Sequence, residues 1–158
     1  MLKSTIRALQ SLLDGQRVLA IAVTAGGAPY AGLLPFAPAR DRSGVFVHAS
    51  RLARHSQGLV ADEPVGILLH EPDLPGKDPL QLQRAMFECR VRPLARDTSE
   101  WQAGRDLYLA RFPAGAVTFD LGDFTLFRLD FTSGLYVAGF GRAIAVPPDD
   151  IARLGEHV

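Results

Sequence analysis

The sequence predicts an α+β fold: an antiparallel sheet able to close into a barrel, with a few flanking helices. Three features predict it. Apolar runs of strand length follow one another through short turns rich in Gly, Pro and Ser, which pairs neighbours antiparallel. The strand–helix–strand alternation of a doubly wound parallel sheet is absent. There are enough strands to close a barrel, which removes exposed sheet edges.

The elements follow in order. Residues 3–14 place Ile6, Leu9, Leu12 and Leu13 at helical spacing, with Ser4 or Thr5 near the start and Gly15 at the end. Residues 17–24 are apolar on both faces, as in a strand buried on both sides. Ala25-Gly26-Gly27-Ala28 signals a hairpin into a second strand, 29–36, and a third follows at 45–49. From Ser50 the pattern predicts a short helix to about Ala61, then a strand from Val65 to His70. Residues 71–79 carry three prolines and form a loop. A long strand spans about Gln81 to Ala95, and Ser99 with Gln102 makes a capping box that opens a helix to about Phe112. Residues 123–131 alternate as a half-buried strand, Ser133-Gly134 turns the chain, and 135–145 form the last strand, interrupted at Gly139 and Gly141. A weak helix after Pro147-Pro148 ends the chain.

Composition narrows the function classes. The 158 residues make a single domain, 1–158, and 47% apolar residues suffice for a core. Seventeen basic and seventeen acidic residues cancel. That argues against bulk electrostatic binding to nucleic acid or membrane and eases self-association. The lone Cys89 lies among Met86, Phe87 and Val91, the setting of a buried inert thiol in a reducing compartment. With no signal-peptide pattern and no apolar run of bilayer length, the expected location is cytoplasmic. The histidines His48, His55, His70 and His157 make no paired metal spacing, and no nucleophile motif is present.

Two segments can carry chemistry. At Ser50 a strand feeds the expected helix, and Arg51, Arg54 and His55 gather on its first turns. The first N–H groups of a helix favour anions, and two guanidiniums there oppose the macrodipole unless an anion relieves them. A Ser N-cap with solvated arginines is the plain alternative. The second segment is Tyr136 to Ala143, where Gly139 and Gly141 point to a bulge or a close approach, with Arg142 beside it; a corner kink with a solvated arginine is the alternative.

Together these pieces resemble the FMN-binding split barrel of the pyridoxamine 5′-phosphate oxidase-like superfamily, most closely its HugZ-type branch, associated with haem use. The resemblance rests on Ser50-Arg-Leu-Ala-Arg-His55 with Leu59 and Pro64, on Asp123-Phe-Thr-Leu-Phe-Arg-Leu129, on Gly134 through Gly139-Phe-Gly-Arg-Ala143, and on the helix from Ser99 to Pro113. It implies a homodimer with small-molecule sites at the subunit interface. In such a site Leu33, Leu34, Pro35 and Phe36 would lie along an isoalloxazine ring, and Ser50, Arg51, Arg54 and His55 would hold the phosphate. The cofactor it implies first is FMN, in a flavin-dependent oxidoreductase. Haem is the alternative, its propionates near Arg142 and Arg54; a cofactor-free regulatory dimer is the third reading. The longer haem-degrading relatives carry a haem-ligating histidine in a further C-terminal region, and His157 is the only tail histidine here.

Overall fold

A computed structural model describes residues 1–156. Its elements in chain order are α1 (Lys3–Gly15), β1 (Val18–Ala25), β2 (Ala28–Pro38), β3 (Gly44–Ser50), β4 (Pro64–His70), β5 (Arg84–Pro93), α2 (Ser99–Arg111), β6 (Phe124–Val137), β7 (Ala143–Val146) and α3 (Pro148–Ala152). The strands form one antiparallel sheet in the order β3-β2-β1-β4-β5-β6-β7. A further pairing of β3 with β6, from Gly44↔Asp130 to Ser50↔Phe124, closes the first six into a barrel. Strand β7 hangs on the far end of β6. This is the α+β split barrel that the sequence predicts.

Strand alternation fills the interior. Leu19, Ile21 and Val23 of β1 point inward with Leu34 and Phe36 of β2, Ile67 and Leu69 of β4, and Phe87 of β5. Helix α1 has no side-chain cap at Leu2. It is held instead by burying Ile6, Leu9, Leu12 and Leu13 in the same core. At roughly 1.5–3 kcal/mol per buried side chain, that packing outweighs a missing cap worth about 1 kcal/mol. A second cluster lies outside the barrel, where Trp101 and Tyr108 of α2 pack on Phe46, Leu126 and Phe119. Gly104 lets α2 approach, since a Cβ there would stand 2.7 Å from the Phe46 ring. Arg92 of β5 ties the start of α2 to the barrel by bridging Glu100 (2.6 and 2.9 Å) and Asp130.

Four expectations change. The N-cap of α2 is Thr98, whose Oγ1 accepts from the Trp101 N–H at 3.3 Å, one residue before the expected Ser99. The long strand is shorter, because Asp78 accepts from the Leu80 N–H and starts a 3₁₀ turn at Pro79–Gln81. Ser133-Gly134 is no turn. Strand β6 runs through it, and β5 pairs with it on both sides of a register shift at Glu88/Cys89. The shift takes up one residue as a bulge. Gly134 is required there because a Cβ would meet the Phe87 ring at 2.7 Å. The reversal comes later, at Gly139 (φ 138°) and Gly141 (φ 71°), between β6 and β7.

The fourth change concerns the segment after β3. No α-helix starts at Ser50. A turn gives way to a five-residue 3₁₀ segment, Arg54–Gly58. The Ser50 hydroxyl accepts from the Leu52 N–H at 3.1 Å, and Ser56 Oγ donates back to the Ser50 carbonyl at 2.7 Å. Such local bonds compete with helix formation. Gly58 then presses the segment onto β1, where a Cβ would fall 2.4 Å from Val23 Cβ. Among the described residues, no helix is long and apolar enough to cross a membrane, and no three His, Cys, Asp or Glu side chains gather as a metal site.

His48 is the buried titratable group of this architecture. Its ring stacks on Phe119 with centroids 3.8 Å apart, and Nδ1 lies 3.0 Å from Thr118 Oγ1. The Thr118 hydroxyl spends its proton on the Gly115 carbonyl at 2.7 Å, so His48 Nδ1 is the donor. Burial, helped by nearby Arg96, lowers the His48 pKa to about 4. The unfolded chain therefore takes this proton at higher pH than the folded one. Its contribution to stability is complete above about pH 6.5 and is lost as pH falls toward 4, on the order of 3 kcal/mol. Urea unfolding across that window should show His48→Phe losing about 3 kcal/mol less than the wild type; parallel curves would refute the assignment.

Candidate functional site

Strand β2 separates the residues that the sequence groups. Leu34 and Phe36 are buried in the barrel, so only their backbone is available to a ligand. Leu33, 66% exposed, and Pro35 point outward. The segment Arg54–Gly58 lies on the other side of β2, across the barrel mouth. His55 packs against Gly32 and Arg54 reaches over the Tyr30 ring at 4.8 Å. His55 Nε2 is buried without a hydrogen-bond partner, and burial lowers the His55 pKa, favouring the neutral form.

Ser50 ends β3 beside the start of β6. Its hydroxyl donates to Asp123 Oδ2 at 2.5 Å, and the Arg51 N–H donates to the Asp123 carbonyl at 2.8 Å. Arg51 Nη2 reaches the Gly122 carbonyl at 3.3 Å, with the side chain exposed. Ser50 is thus committed to a carboxylate, and the helix N-terminus invoked for anion binding does not exist. The positive character that remains comes from the exposed Arg51 and Arg54, beside Leu52, which is 86% exposed.

Arg142 is exposed in the β6–β7 turn. Ser50 pairs with Phe124 at one end of β6, and Arg142 follows Val137 at the other. At about 3.3 Å per residue these ends are on the order of 40 Å apart along the strand. One chain therefore brings Ser50, Arg51, Arg54 and His55 into a single loop and leaves Arg142 at the opposite end. The tail His157 lies outside the described residues.

The outer face of the barrel is the feature that the sequence reading missed. Directly paired residues share a face, and the strand registers chain Leu33, Ala20, Leu68, Met86, Leu135 and Ala145 into one row across six strands. Every member is apolar. The next row runs His70, Arg84, Val137 and Ala143, which adjoins Arg142. A shallow apolar hollow lined by Ala20, Ala22, Ala31, Gly66, Leu68 and Met86 sits on this face. The available signal was the apolar character of 17–24 on both faces, which marks a strand covered on its outer side as well.

No family model matches the chain. The haem oxygenase HutZ of Vibrio cholerae serotype O1 is 33% identical over 132 residues, covering 82% of this chain and 73% of that protein. A haem-binding protein of Mycobacterium smegmatis superposes with a TM-score of 0.83 at 21% identity; the match covers 96% of this chain but only 61% of that one. A Clostridium acetobutylicum protein of the pyridoxinephosphate oxidase family, related to general stress protein 26, gives 0.70 at 13% identity over 96% of this chain and 99% of that one.

The close fit of His55 to Gly32 is testable. A Cβ at Gly32 would stand 2.9 Å from His55 Nδ1 and 3.1 Å from its Cβ, so the ring cannot evade it by rotating. Gly32→Ala should shift the His55 ring resonances in NMR spectra and cost about 1–2 kcal/mol; unchanged resonances would show that the ring is not seated there.

Proposed function

The chain belongs to the HugZ-type branch of the pyridoxamine 5′-phosphate oxidase-like split-barrel superfamily, and on that premise we propose that it is a haem-binding, haem-degrading protein that works as a homodimer. The Ser50–Asp123 hydrogen bond carries the choice of haem over FMN. A flavin phosphate seated at Ser50 would face the Asp123 carboxylate, with no helix N-terminus to offset the repulsion. Haem makes no such demand. It needs an apolar surface and cations at its rim, and the chain has both: the outer row on one side, Arg51, Arg54 and Arg142 at the ends. The identity with a haem oxygenase supports the same choice.

The residues divide the work. Leu68, Met86 and Leu135 present the apolar bed and exclude water from it. Arg51 and Arg54 of one subunit, with Arg142 of the partner subunit, bind the propionate carboxylates. A two-fold packing of the outer row on itself would bring these opposite ends together, as an isologous interface requires. Haem, when bound, supplies the iron chemistry with oxygen; the protein supplies position, exclusion of water and charge. Burial of His55 disfavours a charge on its ring, so the loop's cations are its arginines.

Adding haemin to the purified chain should give a saturable Soret band, and FMN should leave the spectrum additive. Replacing both Arg51 and Arg54 by Ala should weaken haemin binding by about tenfold, roughly 1.4 kcal/mol. A flavin band shift with no Soret change would overturn haem in favour of FMN. The dimer has its own check: Leu68→Asp places a charge in the middle of the apolar row and should convert a dimer to a monomer in light scattering. A wild type that is already monomeric would remove the interface.

A further inference from the structure

We infer that the cavity between the start of α2 and the outer sides of β3 and β6 binds a small aromatic acid that carries a hydroxyl or N–H donor. The site is separate from the apolar row. That row is centred on β1 and β4, which in the strand order stand across the barrel from the β3–β6 closure.

The cavity measures about 220 Å³, and His48, Leu94, Arg96, Trp101, Phe124 and Leu126 are among its lining residues. It is smaller than the roughly 300–1,000 Å³ of a drug-sized ligand pocket, so it has no room for a haem or a flavin. It is also several times the roughly 30 Å³ share of one water. A single substituted ring fits it. Among the described residues that line it, Arg96 is the one charged side chain.

Two buried side chains bring unused polar atoms to this space. His48 is 6% exposed and Trp101 is 7% exposed. The His48 ring is held on its other sides: Phe119 stacks on one face at 3.8 Å, Phe124 tilts against it at 5.0 Å, and Nδ1 donates to Thr118 Oγ1 at 3.0 Å. With the proton on Nδ1, Nε2 carries a lone pair. Among the described residues, His55 Nε2 is the one fully enclosed side-chain nitrogen or oxygen without a partner. His48 Nε2 and Trp101 Nε1 bond to no described residue either, so both stay open, and the space that their side chains border is this cavity.

The three groups divide a ligand between them. Arg96 is exposed and stands at the mouth, held over the Trp101 ring at 5.5 Å and bonded through Nη2 to the Phe119 carbonyl. The rest of its fork is available to a carboxylate. Trp101 Nε1 adds a second donor for that group. His48 Nε2 only accepts, so the inner end of the ligand must donate; an acceptor covered by an apolar group would lose its water without replacement. Phe124, Leu94 and Leu126 supply the apolar walls for the ring.

Trp101 is the single tryptophan of the chain, so its fluorescence reports this cavity. Titrating the full chain with 4-hydroxybenzoate should change that fluorescence saturably, and calorimetry should return the same affinity. Benzoate keeps the ring and the carboxylate but offers His48 no donor, and it should bind about tenfold more weakly. This comparison needs no variant. His48→Phe keeps the aromatic stack and removes the acceptor; it should weaken 4-hydroxybenzoate about tenfold and leave benzoate unchanged. Arg96→Gln should weaken both acids. Circular dichroism of the two variants separates lost binding from lost fold. The absence of a saturable change at millimolar 4-hydroxybenzoate overturns the inference. So does equal binding of the two acids by the wild type, or calorimetric binding that leaves the Trp101 fluorescence unmoved.

Discussion

Antiparallel pairing of β3 with β6 is the constraint on which the other features of the fold depend. It joins the two ends of the strand order and leaves the six barrel strands without a free edge. Closure also fixes what each strand face can do. Inward positions must fill a space bounded on all sides, hence the Leu, Ile, Val and Phe of the core and the plug made by α1. Outward positions are released from that duty. On β3 and β6 they receive α2; from β2 through β7 they form the apolar row. An apolar row on a sheet's solvent side is costly unless something covers it.

The same closure separates the candidate residues. Strand β6 serves β3 at its start and β7 at its end, and the candidate residues sit at both ends. The Ser50–His55 loop crosses the barrel mouth because Gly32 and Gly58 leave room for it on β2 and β1. The β6–β7 turn carries Arg142 away from that mouth. Charge follows the same division, with the guanidiniums of Arg51, Arg54 and Arg142 exposed at the ends.

Ser50 illustrates how local bonds redirect a site. Its hydroxyl accepts from Leu52 and donates to Asp123, and its carbonyl accepts from Ser56 and Ala53. Four bonds at one residue build a turn where helical spacing alone predicts a helix. They also place a carboxylate where a phosphate-binding reading needs an anion. Asp123 belongs to the segment after Pro113–Asp120, more than seventy positions along the chain, so no local pattern around Ser50 announces it.

The sequence by itself determined the fold class, an antiparallel sheet with enough strands to close, the helices at both ends and before β6, and the family. These follow from period, turn chemistry and motif order, all of which are local. It also identified Ser50, Arg51, Arg54, His55 and Arg142 as unusual. Only the tertiary structure decided how they are arranged. Register placed Ser133-Gly134 inside a strand, because β5 pairs across both sides of it. Register likewise assembled the outer row from six strands, one residue from each, which no linear pattern displays. Strand alternation buried Leu34 and Phe36 while exposing Leu33 and Pro35. A helix or strand is dictated by neighbours a few residues away, whereas a face, a closure or a carboxylate against Ser50 depends on residues that meet only when the barrel shuts.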